Sequence, residues 1–116
     1  MKKTIISLIF FLFSTLLYAQ KQLSKTEQSV QQTVVKLFEA LSNRDSVSLK
    51  NYSTADITLY EYGQIWNVDT LIMKAVTLNQ AADFKRINTF DFINTTTDKT
   101  TAWATYRLLS AITRDG

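Results

Sequence analysis

Glu61 is the carboxylate whose position carries the most chemical promise. In the run Asp56–Gly63 it alternates with Ile57 and Leu59, so a period of two places it on the apolar face. Desolvation raises the pKa of a carboxylate held in an apolar cavity, and a base tuned in that way suits proton abstraction. If the strand has left the core by residue 61, the same side chain is simply solvated. Asp91 alternates with Phe90 and Phe92, and with Phe90 turned inward it faces solvent or a partner. Tyr106 lies on the more apolar side of its strand, where its hydroxyl can enter a cavity or its ring can serve packing alone. Tyr62 and Trp66 flank Gly63 and can line the mouth of a pocket or cover the core. With Phe90 and Tyr106 they form the candidate ligand-facing set, and Glu61 is the candidate catalytic residue. Arg86 and Arg107 can receive an anionic ligand, although solvation is the ordinary state of such residues.

Composition removes most other chemistry. The 116 residues include no cysteine, no histidine and no proline, and only two glycines. A tetrahedral zinc site of the usual ligand set, a disulfide framework and any nucleophile that needs an imidazole base are therefore excluded. Glu61, Asp69, Asp83, Asp91 and Asp98 are scattered without a spaced oxygen-ligand loop, and Gly63 stands alone where a phosphate loop needs several glycines. No metal and no cofactor is expected.

The N-terminus reads as a targeting segment. Lys2 and Lys3 precede the apolar run Ile5–Tyr18, and Ala19 offers a small residue for cleavage before the polar Gln20-Lys21-Gln22. The run falls short of the roughly 20 apolar residues of a membrane span. Residues 1–19 are thus expected to be a signal peptide, 20–116 a single domain, and the protein secreted or periplasmic, with no membrane attachment after cleavage. Loss of Lys2 and Lys3 lowers the formal charge from +3 to +1, which leaves no electrostatic footprint for nucleic acid.

The elements that must position these groups follow from local pattern. Ser24-Lys25-Thr26-Glu27 has the form of a capping box, and Val30, Val34, Leu37, Phe38 and Leu41 form one helical stripe behind it. Asn43 is expected to close that helix and Asp45 to cap a short second one, packed through Val47, Leu49 and Tyr52. A strand over 56–63 turns at Gly63-Gln64 into a brief return strand, Ile65-Trp66. Asn67 or Asp69 then caps a third helix carrying Val68, Leu71, Ile72, Ala75 and Val76. Two long strands, 84–94 and 100–113, are joined by a polar turn over 95–99. In the second, Ala102, Ala104, Tyr106, Leu108, Ser110 and Ile112 are taken as core-facing. Asp115-Gly116 is a hairpin-turn signal with no strand after it, so the domain is expected to be truncated at its C-terminus.

This order, with Leu41-Ser42-Asn43-Arg44-Asp45 ending the first helix, Ala55–Tyr60 entering the first strand and Gly63–Asp69 before the third helix, resembles the nuclear transport factor 2-like superfamily. That group includes the ketosteroid-isomerase and polyketide-cyclase relatives and small secreted bacterial members with no assigned function. The resemblance implies an α+β fold in which a curved antiparallel sheet wraps the N-terminal helices into a cone, a cystatin-like roll lacking its last strand or strands. It also implies an apolar pocket, a homodimer formed through the sheet, and a general-base position near Glu61. Leu37 stands where the isomerases place an oxyanion-binding tyrosine, and the strand for their second acid would lie beyond Gly116. The expected function is binding of a small apolar or aromatic molecule in a conical pocket. The alternatives are a lyase or isomerase with Glu61 as base, and a non-catalytic dimeric interaction module.

Overall fold

The computed structural model describes residues 21–116; the leader expected over 1–19 lies outside the described residues. The first helix, α1 (Lys25–Ser42), begins at the capping box: Ser24 Oγ accepts from the Glu27 amide at 3.1 Å, and Glu27 Oε2 accepts from the Ser24 amide at 2.9 Å. Its end is made by three residues together. Asn43 stays helical, Arg44 enters the left-handed region at φ 53°, and the amides of Arg44 and Asp45 return to the carbonyls of Leu41 and Ala40. This satisfies two of the carbonyls that a helix end leaves open.

Asp45 then caps α2 (Ser46–Asn51), accepting from the Ser48 amide and hydroxyl. These bonds, the hydroxyl's first, hold its carboxyl below the usual range. Leu49 is the packing residue of α2, with 0% exposure, whereas Val47 points to solvent and Tyr52 is only partly covered. A helix of six residues has one inward face, and residue 49 occupies it.

The next strand is shorter than the alternation suggests. β1 (Leu59–Glu61) pairs with β2 (Gln64–Trp66), and residues 55–58 remain irregular. The turn is Tyr62-Gly63, not Gly63-Gln64, because Glu61 pairs with Gln64 across it. Both central residues have positive φ, 51° and 72°, the geometry that matches the twist of a two-residue hairpin. Asn67 caps α3 (Val68–Ile72) through the Thr70 amide at 2.8 Å. One π-helical turn, Met73–Thr77, follows directly and closes with a bond from the Leu78 amide to the Met73 carbonyl.

β3 (Lys85–Thr97) and β4 (Ala102–Thr113) form a long antiparallel hairpin. The threonine cluster 95–97 belongs to β3, where β-branched side chains fit the pleat, and the turn falls instead on residues 98–101. Asp98 organises that turn by accepting from the amides of Thr100 and Thr101. An irregularity between Phe92 and Asn94 inserts Ile93 as an unpaired residue. Before it the even-numbered residues Arg86, Asn88, Phe90 and Phe92 face inward; after it Thr95 and Thr97 do.

The chain is therefore α+β, with two separate two-stranded antiparallel sheets that do not close around the helices. α1 lies along the inner face of β3–β4 and runs opposite to β3. Gln31 reaches Thr95, Phe38 meets Phe90, and Ser42 meets Asn88. Between helix and sheet, Phe38, Phe90, Phe92 and Tyr106 form an aromatic layer with centroid separations of 5.6 to 6.2 Å. Such pairs add about 0.5–1.5 kcal/mol each beyond their buried area.

Candidate functional site

A cleft of about 380 Å³ opens where four structural pieces meet. Phe38 and Leu41 of α1 form one wall, and Tyr62 and Trp66 of the β1–β2 hairpin form another. Lys74 and Ala75 of the π turn face them, and the start of β3 with the end of β4 contributes Arg86 and Ile112. The volume falls within the range of small-molecule sites.

Trp66 is partly buried, and its face is covered by the Lys74 ammonium at 5.2 Å from the ring centroid. Tyr62 stands at the mouth, 91% exposed, its ring 6.1 Å from that of Trp66. A bulky residue at positive φ is uncommon. Its occurrence at a cleft rim fits the tendency of strained backbone to collect at functional positions.

The segment after the π turn supplies Asn79 and Phe84 to the cleft wall. Arg44 holds it, donating to the carbonyls of Asn79 at 2.7 Å and Ala81 at 3.1 Å, with its guanidinium 5.1 Å from the Phe84 ring centroid. Asn79 is 6% exposed, and its Oδ1 has no hydrogen-bond partner among the described residues. An acceptor left so costs about 1–3 kcal/mol.

The predicted residues are thus only partly brought together. Glu61, Tyr62 and Trp66 line the cleft, but Glu61 lies exposed at the end of β1 and not within an apolar enclosure. The three-residue strand is too short to carry residue 61 into the core alongside Ile57. Phe90 and Tyr106 face inward as the alternation requires, yet they sit in the aromatic layer and do not line the cleft, because Phe38 covers them from the α1 side. Partial burial by the layer pushes the Tyr106 hydroxyl pKa up. Asp91 is exposed on the outer face of the sheet, 3.6 Å from Arg107. Arg86 and Arg107 are consequently on opposite faces and cannot share a ligand.

Lys74, Asn79 and Phe84 escaped the sequence reading in their present role, whereas Arg86 is among the residues expected to be able to receive an anionic ligand. Phe84 directly precedes β3, and a strand start rich in aromatic and cationic residues is a usable signal. Lys74 and Asn79 give none, since a π turn and an irregular loop position them.

Among the described residues no helix is long and apolar enough to cross a membrane. Comparison with known proteins adds no relative: no protein-family model matches the chain, and neither the curated proteins nor the solved structures contain a match.

Proposed function

We propose that this chain is a secreted or periplasmic domain that binds a small apolar or aromatic molecule in the cleft beside Trp66. The observation that supports this reading is the cleft itself: aromatic walls from Phe38, Trp66 and Phe84, with the unpartnered acceptor of Asn79 in the same wall. Kinship with the nuclear transport factor 2-like superfamily, and a cystatin-like roll, belong to the same proposal. The lyase or isomerase alternative needs a desolvated base, and the exposure of Glu61 gives it no support.

The test exploits the tryptophan count of two. Trp103→Phe leaves Trp66 as the sole tryptophan. Titration with N-phenyl-1-naphthylamine, a neutral aromatic probe, is expected to give saturable energy transfer from Trp66. No saturable transfer at probe concentrations up to its solubility limit refutes the reading.

A second reading, homodimerisation through the sheet, is favoured by the outer face of β3–β4. Ile87, Ile93, Trp103 and Leu109 are all exposed there, around the Asp91–Arg107 pair. One acid and one base at the centre of an apolar patch are complementary to a second copy of the same face under two-fold symmetry. Sedimentation velocity should show a dimer that Leu109→Lys dissociates. A wild-type monomer across the accessible concentration range removes this reading.

A further inference from the structure

We infer that the ligand of the cleft carries an anionic group, received by Arg86. This rests on the binding function proposed above and specifies its chemistry. Arg86 is the first inward-facing residue of β3 and is partly buried, its guanidinium 5.6 Å from the Phe38 ring centroid. Its Nε donates to Asn88 Oδ1 at 3.0 Å and its Nη2 to Ser110 Oγ at 3.1 Å. These two acceptors are fixed in turn. Ser110 Oγ donates to Asn88 Oδ1 at 2.8 Å, and Asn88 Nδ2 donates to Ser42 Oγ at 2.9 Å and to the Phe38 carbonyl at 3.3 Å.

The network orients the guanidinium without neutralising it. Every group in it is uncharged, and Arg86 makes no ion pair among the described residues, where the pairs are Lys21–Glu27, Lys50–Asp69 and Arg107–Asp91. Nη1 takes no part in the network and donates to no group among the described residues. A cation that is partly desolvated yet unpaired is costly to a fold, and an anion in the cleft would offset that cost. Burial lowers the Arg86 pKa, opposed by the charge of Glu61, in agreement with that geometry.

The remaining charges of the cleft point the same way. Lys74 and Arg114 join Arg86 on its lining, and Glu61 is the single carboxylate there. Three cations against one acid, combined with aromatic walls, suit an aromatic carboxylate or sulfonate. A neutral hydrocarbon would leave that charge unused.

The experiment compares two probes that share one aromatic skeleton. N-Phenyl-1-naphthylamine is neutral, and 1-anilinonaphthalene-8-sulfonate adds a sulfonate to it. Both are titrated against the Trp103→Phe protein with energy transfer from Trp66 as the readout. Arg86→Gln is expected to weaken the sulfonate about tenfold, the loss of one charge-assisted contact, and to leave the neutral probe within about twofold. Glu61→Gln, at an exposed position on the cleft lining, is expected to strengthen the sulfonate about threefold relative to the neutral probe.

Equal effects of Arg86→Gln on both probes, or an unchanged sulfonate affinity, overturn the inference while the binding function stands. Should Arg86→Gln not fold, the Glu61→Gln result decides: an unchanged or weakened sulfonate affinity overturns it. If the neutral probe does not bind the parent protein, the binding function falls and the inference with it.

Discussion

Arg44 joins two opposing contributions at one position, and substitution can separate them. Its backbone is left-handed at φ 53°, a conformation that costs a residue with a Cβ about 1 kcal/mol relative to glycine. Its side chain donates to the carbonyls of Asn79 and Ala81 and covers Phe84. For a partly buried guanidinium, two bonds to neutral carbonyls contribute about 2–3 kcal/mol together, and the contact with the ring adds about 0.5 kcal/mol. Arg44→Gly loses the side-chain contribution and recovers the backbone cost, so it should destabilise by about 2 kcal/mol. Arg44→Ala loses the side chain without that recovery and should destabilise by about 3 kcal/mol. Urea unfolding followed by fluorescence measures both, with stability read from the midpoint at constant slope. Both variants also free the segment carrying Asn79 and Phe84, so affinity for the neutral naphthylamine probe should fall in parallel. A glycine variant as stable as the parent would show that the side chain anchors nothing. An alanine variant no less stable than glycine would show that residue 44 carries no backbone strain.

Other outcomes follow from single features. Leu49→Ala should cost about 3 kcal/mol in urea unfolding, because this fully covered side chain joins α2 to the rest of the fold. Tyr62→Asn should stabilise the hairpin by about 0.5–1 kcal/mol, asparagine being better suited to positive φ, while weakening probe binding several-fold; a gain in stability with unchanged binding would remove Tyr62 from the site. The Asp98 carboxyl, which accepts from the amides of Thr100 and Thr101 and from the Thr101 hydroxyl, is lowered from 3.8 to about 2. Because the folded value is the depressed one, its stabilisation is complete above the unfolded value and fades as pH falls from about 5 toward 2. Asp98→Asn should flatten that part of the profile of urea midpoint against pH, and an unaltered profile would show that the turn does not depend on the charge.

The parts of this fold that sequence pattern predicts well are those decided within three or four residues. Ser24, Asp45 and Asn67 all act as caps, because an oxygen side chain at the N-cap needs only the amide two or three positions ahead. The inward face of α1 and of β4 is legible for the same reason, since periodicity is local. The errors arise where a local rule meets a distant partner. Thr95–Thr97 reads as a turn by polarity, yet Thr95 is buried in β3 because Gln31, far earlier in the chain, donates to its hydroxyl. The unpaired Ile93 shifts the parity of β3 with no glycine or proline to announce it. Arg44 takes a conformation usually left to glycine because the carbonyls of Asn79 and Ala81 reward its side chain.

The same distinction explains why the candidate site was half visible. Alternation says which face a side chain takes, and it placed Phe90 and Tyr106 inward; it does not say what covers that face. Phe38 covers it, so those rings became structure and the cleft passed to residues at the strand ends. Arg86 and Arg107 illustrate the point from the other side. As two arginines on neighbouring strands they look like one anion site. Pairing Arg86 with Ile112 and Arg107 with Asp91 gives them opposite faces and opposite fates. Arg107 meets a carboxylate in water, where the pair contributes little. Arg86 is turned toward Phe38 and hydrogen-bonded only by neutral groups, and that difference in partner leaves one arginine ordinary surface charge and makes the other the proposed anion receptor.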